Sequence, residues 1–169
     1  QVPGSATRKG WLYHDFALPE HGFPTHRKNS ASRIKKLRKH LPLYKAKVLD
    51  IGCSSGGISL GLALLGPSKV IGVDHDAVAI MLARTVAEKY DIHCAQFEVS
   101  KIEDFQPPQV DILLWLSQWM WTVKEHGLEY SKDLLFEIPA RSGAMFMVFE
   151  SAANDGKAAI PGLTQNNIL

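Results

Sequence analysis

The fold is decided by the stretch Val48-Leu49-Asp50-Ile51-Gly52-Cys53-Ser54-Ser55-Gly56-Gly57, which a second apolar run, Val70-Ile71-Gly72-Val73-Asp74, follows. Both runs are strand-sized and carry an acid near their end, and the glycine-bearing turn between them opens a segment that predicts a helix. This order is typical of a βαβ unit with a nucleoside site at the ends of its strands.

The two acids indicate which nucleoside the site takes. A dinucleotide fingerprint needs a second glycine so that the backbone can approach a pyrophosphate, and Ser54 occupies that position. The carboxylate of Asp50, just ahead of the turn, repels a pyrophosphate but attracts an ammonium group, which S-adenosylmethionine carries. Asp74 ends the second strand, where a carboxylate accepts hydrogen bonds from both ribose hydroxyls. The pattern therefore favours S-adenosylmethionine over NAD.

Composition narrows the class of protein without choosing a function. The chain has 169 residues, 46% of them hydrophobic and 21% charged, with a net charge of +2, which suits one globular domain without a membrane span. Two cysteines, Cys53 and Cys94, form no disulfide framework and predict a reducing, cytoplasmic setting. We predict no metal site. Because the chain opens at Gln1 without a methionine, we expect a trimmed or excised piece.

The predicted elements alternate between strands and helices, which gives an α/β, doubly wound, Rossmann-like sheet. Strands are predicted over 47–51, 69–73, 93–99, 111–116 and 144–150, and helices over 29–40, 57–65, 76–90 and 128–138. The last helix is expected to break at Pro139. The helix over 76–90 is expected to bury the stripe Val78, Met81, Leu82, Thr85 and Val86. We expect an irregular aromatic segment over 11–24 and a loop over 117–127.

The stretch over 48–56 resembles the first motif of class I S-adenosylmethionine-dependent methyltransferases, which usually reads Val-Leu-Asp-Ile-Gly-Cys-x-x-Gly. The resemblance implies an enzyme that uses S-adenosyl-L-methionine. Many members place an acid opposite the adenine amino group where this chain has Lys101, so we expect backbone groups of Lys101 and Ile102, or Ser100, to meet the adenine edge. The residues that we assign to the cofactor on these grounds are Asp50, Gly52, Cys53, Ser54, Gly56, Asp74, His75, Ser100, Lys101, Ile102, Leu116 and Ser117.

A narrower resemblance rests on the segments over 11–19, 32–37, 96–104 and 116–128. They are similar to the O-antigen chain-terminating methyltransferases, which join a methyltransferase domain to a kinase and methylate a phosphate on a polysaccharide end. They also resemble enzymes that methylate the terminal phosphate of small RNAs and, more faintly, wobble-uridine tRNA methyltransferases. The resemblance implies an oxygen acceptor, a phosphate on a saccharide or RNA end. It also implies that Arg33, with Tyr13, pairs with the carboxylate of the donor's methionine moiety.

The segment after the strand over 111–116 supplies the candidate acceptor residues, because ligands in open α/β sheets bind beyond the carboxyl ends of strands. Trp119 and Trp121 are candidates for an apolar wall around the sulfonium, each with a core position as the alternative, and Lys124 is a candidate substrate contact. No catalytic residue is assigned, since a phosphate acceptor needs no base. For an acceptor that carries a proton, His14 and His126 are the candidates.

We divide the chain into a cap segment over 1–46, a methyltransferase core over 47–150 and a tail over 151–169. The tail is short and polar, so we expect the sheet to lack its last strands and a further domain to follow. Such a truncated fold leaves a second function open, a binding or scaffold module without catalysis.

Nine cations and no acid lie from Arg27 to Lys47. They meet phosphates of a substrate or a nucleic acid, or else form the solvated side of a helix whose apolar face is Ile34, Leu37 and Leu41.

Overall fold

A computed structural model describes residues 7–8, 11–14, 16, 25–27, 29–116 and 118–150. In chain order its strands are β1 (Thr7–Arg8), β2 (Trp11–His14), β3 (Thr25–Arg27), β4 (Lys47–Ile51), β5 (Lys69–Asp74), β6 (Ala95–Val99), β7 (Ile112–Leu116) and β8 (Phe146–Glu150). The first three pair in a small sheet of order β1-β2-β3, and the other five form the main sheet.

The main sheet is parallel throughout and has the order β6-β5-β4-β7-β8. β4 is central, with β5 on one side and β7 on the other, so the direction in which strands are added reverses next to β4. In a doubly wound sheet the crevice beyond the carboxyl ends of the strands at this switch point is the ligand site. The predicted α/β class and the predicted doubly wound, Rossmann-like sheet are confirmed.

Five helices connect and cover these strands within the described residues. They are α1 (Ser30–His40), α2 (Gly57–Ala63), α3 (Ala77–Lys89), α4 (Trp119–His126) and α5 (Leu128–Ser142). Asp76 caps α3, because its Oδ1 accepts hydrogen bonds from the N–H groups of Val78 and Ala79 at 2.9 and 3.1 Å. In the described part of the chain, no helix has the length and apolar character that crossing a membrane requires.

The core consists of two clusters, one on each face of the main sheet. Side chains alternate along β4, so Val48 packs in the cluster with α1, α2 and α3, while Leu49 and Ile51 pack in the cluster with α4 and α5. Asp50 is two residues after Val48, so its side chain lies on the same face of the sheet. It therefore points toward α2, where Ser59 meets it.

The predicted break at Pro139 is wrong. α5 continues to Ser142 and ends at Gly143, whose φ of 64° is the left-handed conformation common after a helix. Proline removes only its own N–H from the helix. Its carbonyl still accepts hydrogen bonds from Gly143 N and Ser142 Oγ, both at 3.0 Å, and these close the last turn.

The apolar stripe predicted for α3 is also wrong at most of its positions. Val78 and Met81 are 49% and 62% exposed. The residues that α3 buries are Ala79, Ile80, Ala83, Val86 and Ala87. Three alanines on this face let the helix approach the sheet closely, which a stripe chosen by side-chain size cannot anticipate.

The segment predicted as a loop over 117–127 contains α4. Trp119, Met120 and Val123 are buried at helical spacing, so packing against the core favours a helix here. At the N-terminus the segment predicted as irregular contains β2, which pairs with β1 in antiparallel and with β3 in parallel fashion. The tail over 151–169 lies outside the described residues.

Candidate functional site

A shallow cleft lies at the carboxyl edge of the main sheet, beside the switch point. It is bounded by the ends of β4 and β5 and by the segments that follow β6 and β7. Its lining residues are Ile51, Gly52, Val73, Asp74, His75, Ser100, Ile102, Phe105 and Gln118. Five of these, Gly52, Asp74, His75, Ser100 and Ile102, are among the residues that the sequence assigns to the cofactor.

The glycine turn after β4 is fixed against β5. The N–H groups of Gly52 and Cys53 both donate to the carbonyl of Val73, at 2.8 and 3.1 Å. Gly52 and Ser54 have φ values of 70° and 51°, so the turn holds two left-handed residues. This conformation directs the N–H of Ser54 toward the end of β5 rather than into a phosphate cradle.

Asp74 is the acid in the lining of the cleft, and backbone N–H groups hold its carboxylate. Its Oδ2 accepts a hydrogen bond from Ser54 N at 2.8 Å, and its Oδ1 accepts one from Asp76 N at 2.9 Å. His75 Nδ1 lies 3.4 Å from the same Oδ1, although the His75 side chain is 59% exposed. Each carboxylate oxygen has a second lone pair, so a carboxylate oriented in this way can accept two hydroxyl groups from a ligand.

Asp50 is buried, with 2% of its surface exposed, and it does not line the cleft. Ser59 Oγ donates to its Oδ2 at 2.6 Å. Burial raises the pKa of Asp50 from its ordinary 3.8 to about 6, while the Ser59 hydrogen bond and the charge of Arg33 lower it and the charge of Asp74 raises it. The burial effect dominates. A ligand cation placed near Asp50 would therefore relieve the cost of keeping this carboxylate ionised.

Arg33 reaches the same edge of the sheet from α1. Its Nη2 donates to both carboxylate oxygens of Glu150, at 3.1 Å each, and its side chain is 15% exposed. Glu150 is the last residue of β8. The arginine that the resemblance assigns to the donor carboxylate thus holds a protein carboxylate in this structure. Glu150 was not among the predicted site residues, although its position at a strand end was a usable signal.

Gln118 is a cleft residue that the sequence analysis missed. A methyl group added to Gly52 would overlap Gln118 Cγ and lie 2.7 Å from its Cβ, so this side chain lies directly over the glycine turn. Its Oε1 is buried without a hydrogen-bond partner. An acceptor atom in this state costs free energy unless a ligand or water donates to it. Its place just after β7 could have revealed it.

The far end of the cleft follows β6. Ser100 N donates to the carbonyl of Asp74 at 3.0 Å, and Ser100 Oγ donates to the carbonyl of Lys101 at 3.1 Å. Ile102 supplies apolar lining, and so does Phe105, which was not among the predicted residues. The Lys101 side chain is 64% exposed and lies 3.9 Å from a Glu103 oxygen, so it turns away from the lining.

Several predicted cofactor residues are not in the lining of the cleft. Gly56, with φ 78°, faces the core, because an added Cβ would lie 2.8 Å from the Phe97 ring and 3.0 Å from Ala83. Packing against these neighbours thus requires a glycine at this position. Cys53 is buried, and burial raises the pKa of its thiol well above the ordinary range. Leu116 is partly buried against the core.

The predicted tryptophan wall is not formed by the side chains that we chose. Trp119 is 3% exposed, its Nε1 donates to the carbonyl of Ser131 at 3.2 Å, and it packs edge-on against Phe149. This burial corrects its assignment as a substrate contact, since the core occupies its surface. Trp121 is 59% exposed, and Lys124 Nζ lies 4.6 Å from its ring centre. Neither lines the cleft.

His126 stands at the end of α4, away from the cleft lining. Its Nε2 lies 3.7 Å from Glu103 Oε2, and its ring centre is 5.1 Å from that of Tyr130. For His14 and Tyr13 the structure describes the backbone of β2, and Ser117 lies outside the described residues. Within the described residues no group of three or more histidine, cysteine, aspartate or glutamate side chains could hold a metal ion.

Comparison with known proteins identifies the domain. Residues 44–125 match the methyltransferase domain family. The O-antigen chain terminator bifunctional methyltransferase/kinase WbdD of Escherichia coli is 34% identical over 92 residues, which cover 52% of this chain and 13% of WbdD. The ribosomal protein L11 methyltransferase of Pseudomonas syringae pv. tomato is 36% identical over 72 residues, covering 43% of this chain and 25% of that enzyme. The chain thus corresponds to a small part of either relative.

Solved structures share the fold. A crystal structure of WbdD with the kinase inhibitor LY294002 superposes with a TM-score of 0.68 and 25% identity, covering 78% of this chain and 32% of that one. The magnesium protoporphyrin IX methyltransferase of Synechocystis PCC 6803 with bound S-adenosylmethionine has a TM-score of 0.56 at 18% identity, covering 68% and 53%, and shows the fold alone.

Sheet order, cleft and the match over residues 44–125 together indicate a methyltransferase domain of the S-adenosyl-L-methionine-dependent class. Within it, WbdD is similar to this chain both in sequence and in structure. The family that the first motif resembles is thereby confirmed.

Proposed function

We propose that the chain transfers a methyl group from S-adenosyl-L-methionine to an anionic oxygen, a phosphate at the end of a saccharide or an RNA. The observation that carries the donor is the fixed carboxylate of Asp74 in the lining of the cleft. An adenosine bound here would place its ribose hydroxyls on Asp74 and its base against Ile102 and Phe105. A pyrophosphate does not suit this site, because the glycine turn places carboxylates near it instead of unpaired N–H groups.

The amino-acid end of the donor has matching partners. The ammonium group is attracted by Asp50, whose buried charge is otherwise expensive. The carboxylate is bound by Arg33, whose Nη2 already donates to a carboxylate, that of Glu150. The amide oxygen of Gln118, which lacks a partner, accepts a hydrogen bond from the ammonium. When bound, S-adenosyl-L-methionine supplies an electrophilic methyl group on its sulfonium.

The protein contributes position and exclusion of water rather than a base. A phosphate oxygen is already anionic, so it displaces the sulfide from the methyl carbon without losing a proton. Aligning the two reactants in a dry site supplies up to about 7–11 kcal/mol in favourable cases. The similarity to WbdD, whose name describes a chain terminator acting as methyltransferase and kinase, supports a saccharide acceptor. The basic side chains of α1 support an anionic acceptor.

The organisation of the whole protein is part of the proposal. Residues 1–46 act as a cap over the donor, and a further domain follows the tail, as the much greater length of WbdD suggests. The free thiols of Cys53 and Cys94 support a reducing, cytoplasmic location.

Mass spectrometry of products tests the acceptor. The protein is incubated with trideuteromethyl-labelled donor and a panel of phosphorylated oligosaccharides and 5′-phosphorylated RNAs, each beside its dephosphorylated form, with Asp74→Ala as the inactive control. We expect labelled methyl groups only on phosphorylated members. Equal labelling of the dephosphorylated forms would contradict a phosphate acceptor, and bound donor with no product in any reaction would favour a binding module.

A further inference from the structure

α1 presents a row of lysines that the donor site does not use. Ile34 and Leu37 are buried, and Lys35, Lys36 and Lys39 lie on the opposite, exposed side of the helix. In the described part of the chain, none of these lysines forms an ion pair. We call Lys35, Lys36, Lys39, Tyr44 and Lys45 the basic face.

The basic face extends away from the cleft. Arg33 contacts Glu150 at the carboxyl edge of the sheet. Lys45 N donates to the carbonyl of Gly66, just ahead of β5, at 2.8 Å, so the other end of this face lies at the amino edge. An α-helix of 11 residues is about 16 Å long. The lysines therefore span roughly the height of the sheet.

This extent decides between acceptors. A neutral saccharide with one terminal phosphate needs cations at the cleft only, and it leaves distant lysines without a partner. A nucleic acid carries a charge on every nucleotide, so its backbone can follow the whole row.

Tyr44 adds a second feature at the far end. Its side chain is 75% exposed, its ring lies against Gly66, and Lys45 Nζ is 5.3 Å from the ring centre. An exposed aromatic ring among cations is a stacking platform for an unpaired base, whereas a duplex keeps its bases inside.

We propose that the basic face binds the backbone of a single-stranded nucleic acid, with Tyr44 stacking on a base, and guides its end to the cleft. The delivery of the end rests on the proposed function, but binding to the basic face does not. Binding is therefore measured without the donor, and its failure would leave the donor assignment untouched.

The experiment is a salt titration of binding to fluorescent 12-nucleotide single-stranded RNA and DNA, followed by anisotropy. For single strands, log K falls with log salt by about 0.7 per phosphate contact, so replacing Lys35, Lys36 and Lys39 with alanine should reduce the slope by about 2. Raising the salt concentration from 50 to 200 mM should therefore weaken wild-type binding roughly 20-fold more than it weakens binding of the triple variant. Tyr44→Ala should weaken binding roughly tenfold with the slope unchanged.

A matched control removes three positive charges elsewhere: Lys89, Lys132 and Arg141, each replaced by alanine. This triple variant should keep the wild-type slope. Equal effects of the two triple variants would show that only net charge matters and would overturn the proposal. The absence of oligonucleotide binding at 50 mM salt would also overturn it. So would a duplex that binds more tightly than the single strand with an affinity unchanged by Tyr44→Ala, or lysine-dependent binding to phosphatidylserine vesicles alone.

Discussion

Asp50 gives the sharpest prediction, because its burial makes stability and donor binding respond in opposite directions to one substitution. Its pKa rises from 3.8 to about 6 in the folded protein, so the folded state holds the proton more tightly than the unfolded state. The stabilisation from the protonated form is therefore complete below about pH 4 and is lost as the pH rises through about 6. A tenfold change in proton affinity is worth about 1.4 kcal/mol, so the full loss is about 3 kcal/mol.

Asp50→Asn removes the charge and keeps an oxygen that can accept from Ser59 Oγ. We expect the variant to have a free energy of unfolding about 3 kcal/mol above wild type at pH 8 and about 1.5 kcal/mol above it at pH 5. The same variant should bind S-adenosylmethionine more weakly, since the ammonium loses its anionic partner. Urea unfolding followed by fluorescence of the buried Trp115 and Trp119 measures stability, and calorimetry measures donor affinity.

The exposed carboxylate of Asp133, on α5, supplies the control. Asp133→Asn should change neither the pH dependence nor the donor affinity. The account of Asp50 is refuted if Asp50→Asn is less stable than wild type at pH 8, or if its stability gap is the same at pH 5 and pH 8.

Three further predictions concern the donor site. Asp74→Ala should weaken donor binding by about 1.5–3 kcal/mol in calorimetry, the scale of a hydrogen bond to a charged group, and unchanged affinity in a folded variant would remove Asp74 from the site. Arg33→Lys should weaken donor binding, because lysine cannot bind a carboxylate with two parallel donors. Glu150→Gln should strengthen donor binding by loosening the competing contact with Arg33. The reverse order of affinities would count against this assignment. Gly52→Ala should lower thermal stability by about 1–3 kcal/mol and abolish donor binding, because φ is 70° and the new methyl group overlaps Gln118; wild-type melting would contradict it.

The inner strands β4 and β7 were predictable because they are buried on both faces and read as continuous apolar runs. β4 has the predicted bounds, and β7 begins one residue later than predicted. The helices were harder. α3 packs through alanines whose small size matters only against a particular neighbour, and α4 was hidden in a run whose tryptophans suggested a ligand wall.

The candidate site also contains residues that the sequence could predict and residues that it could not. Gly52 and Asp74 follow from the rule that parallel strands present ligands at their carboxyl ends, and both line the cleft. The contact of Gln118 with Gly52 and the pairing of Arg33 with Glu150 join residues far apart in the chain. Such contacts depend on tertiary packing. Gly56 also has a packing reason that the motif does not reveal, because a side chain there would meet the Phe97 ring.

The central claim is that the cleft takes an adenosyl amino acid and not a dinucleotide, and isothermal titration of one protein preparation with S-adenosylmethionine, S-adenosylhomocysteine and NAD tests it most directly. We predict that both adenosyl compounds bind, that Asp74→Ala weakens both, and that NAD binds more weakly than either. Tighter binding of NAD would contradict the account.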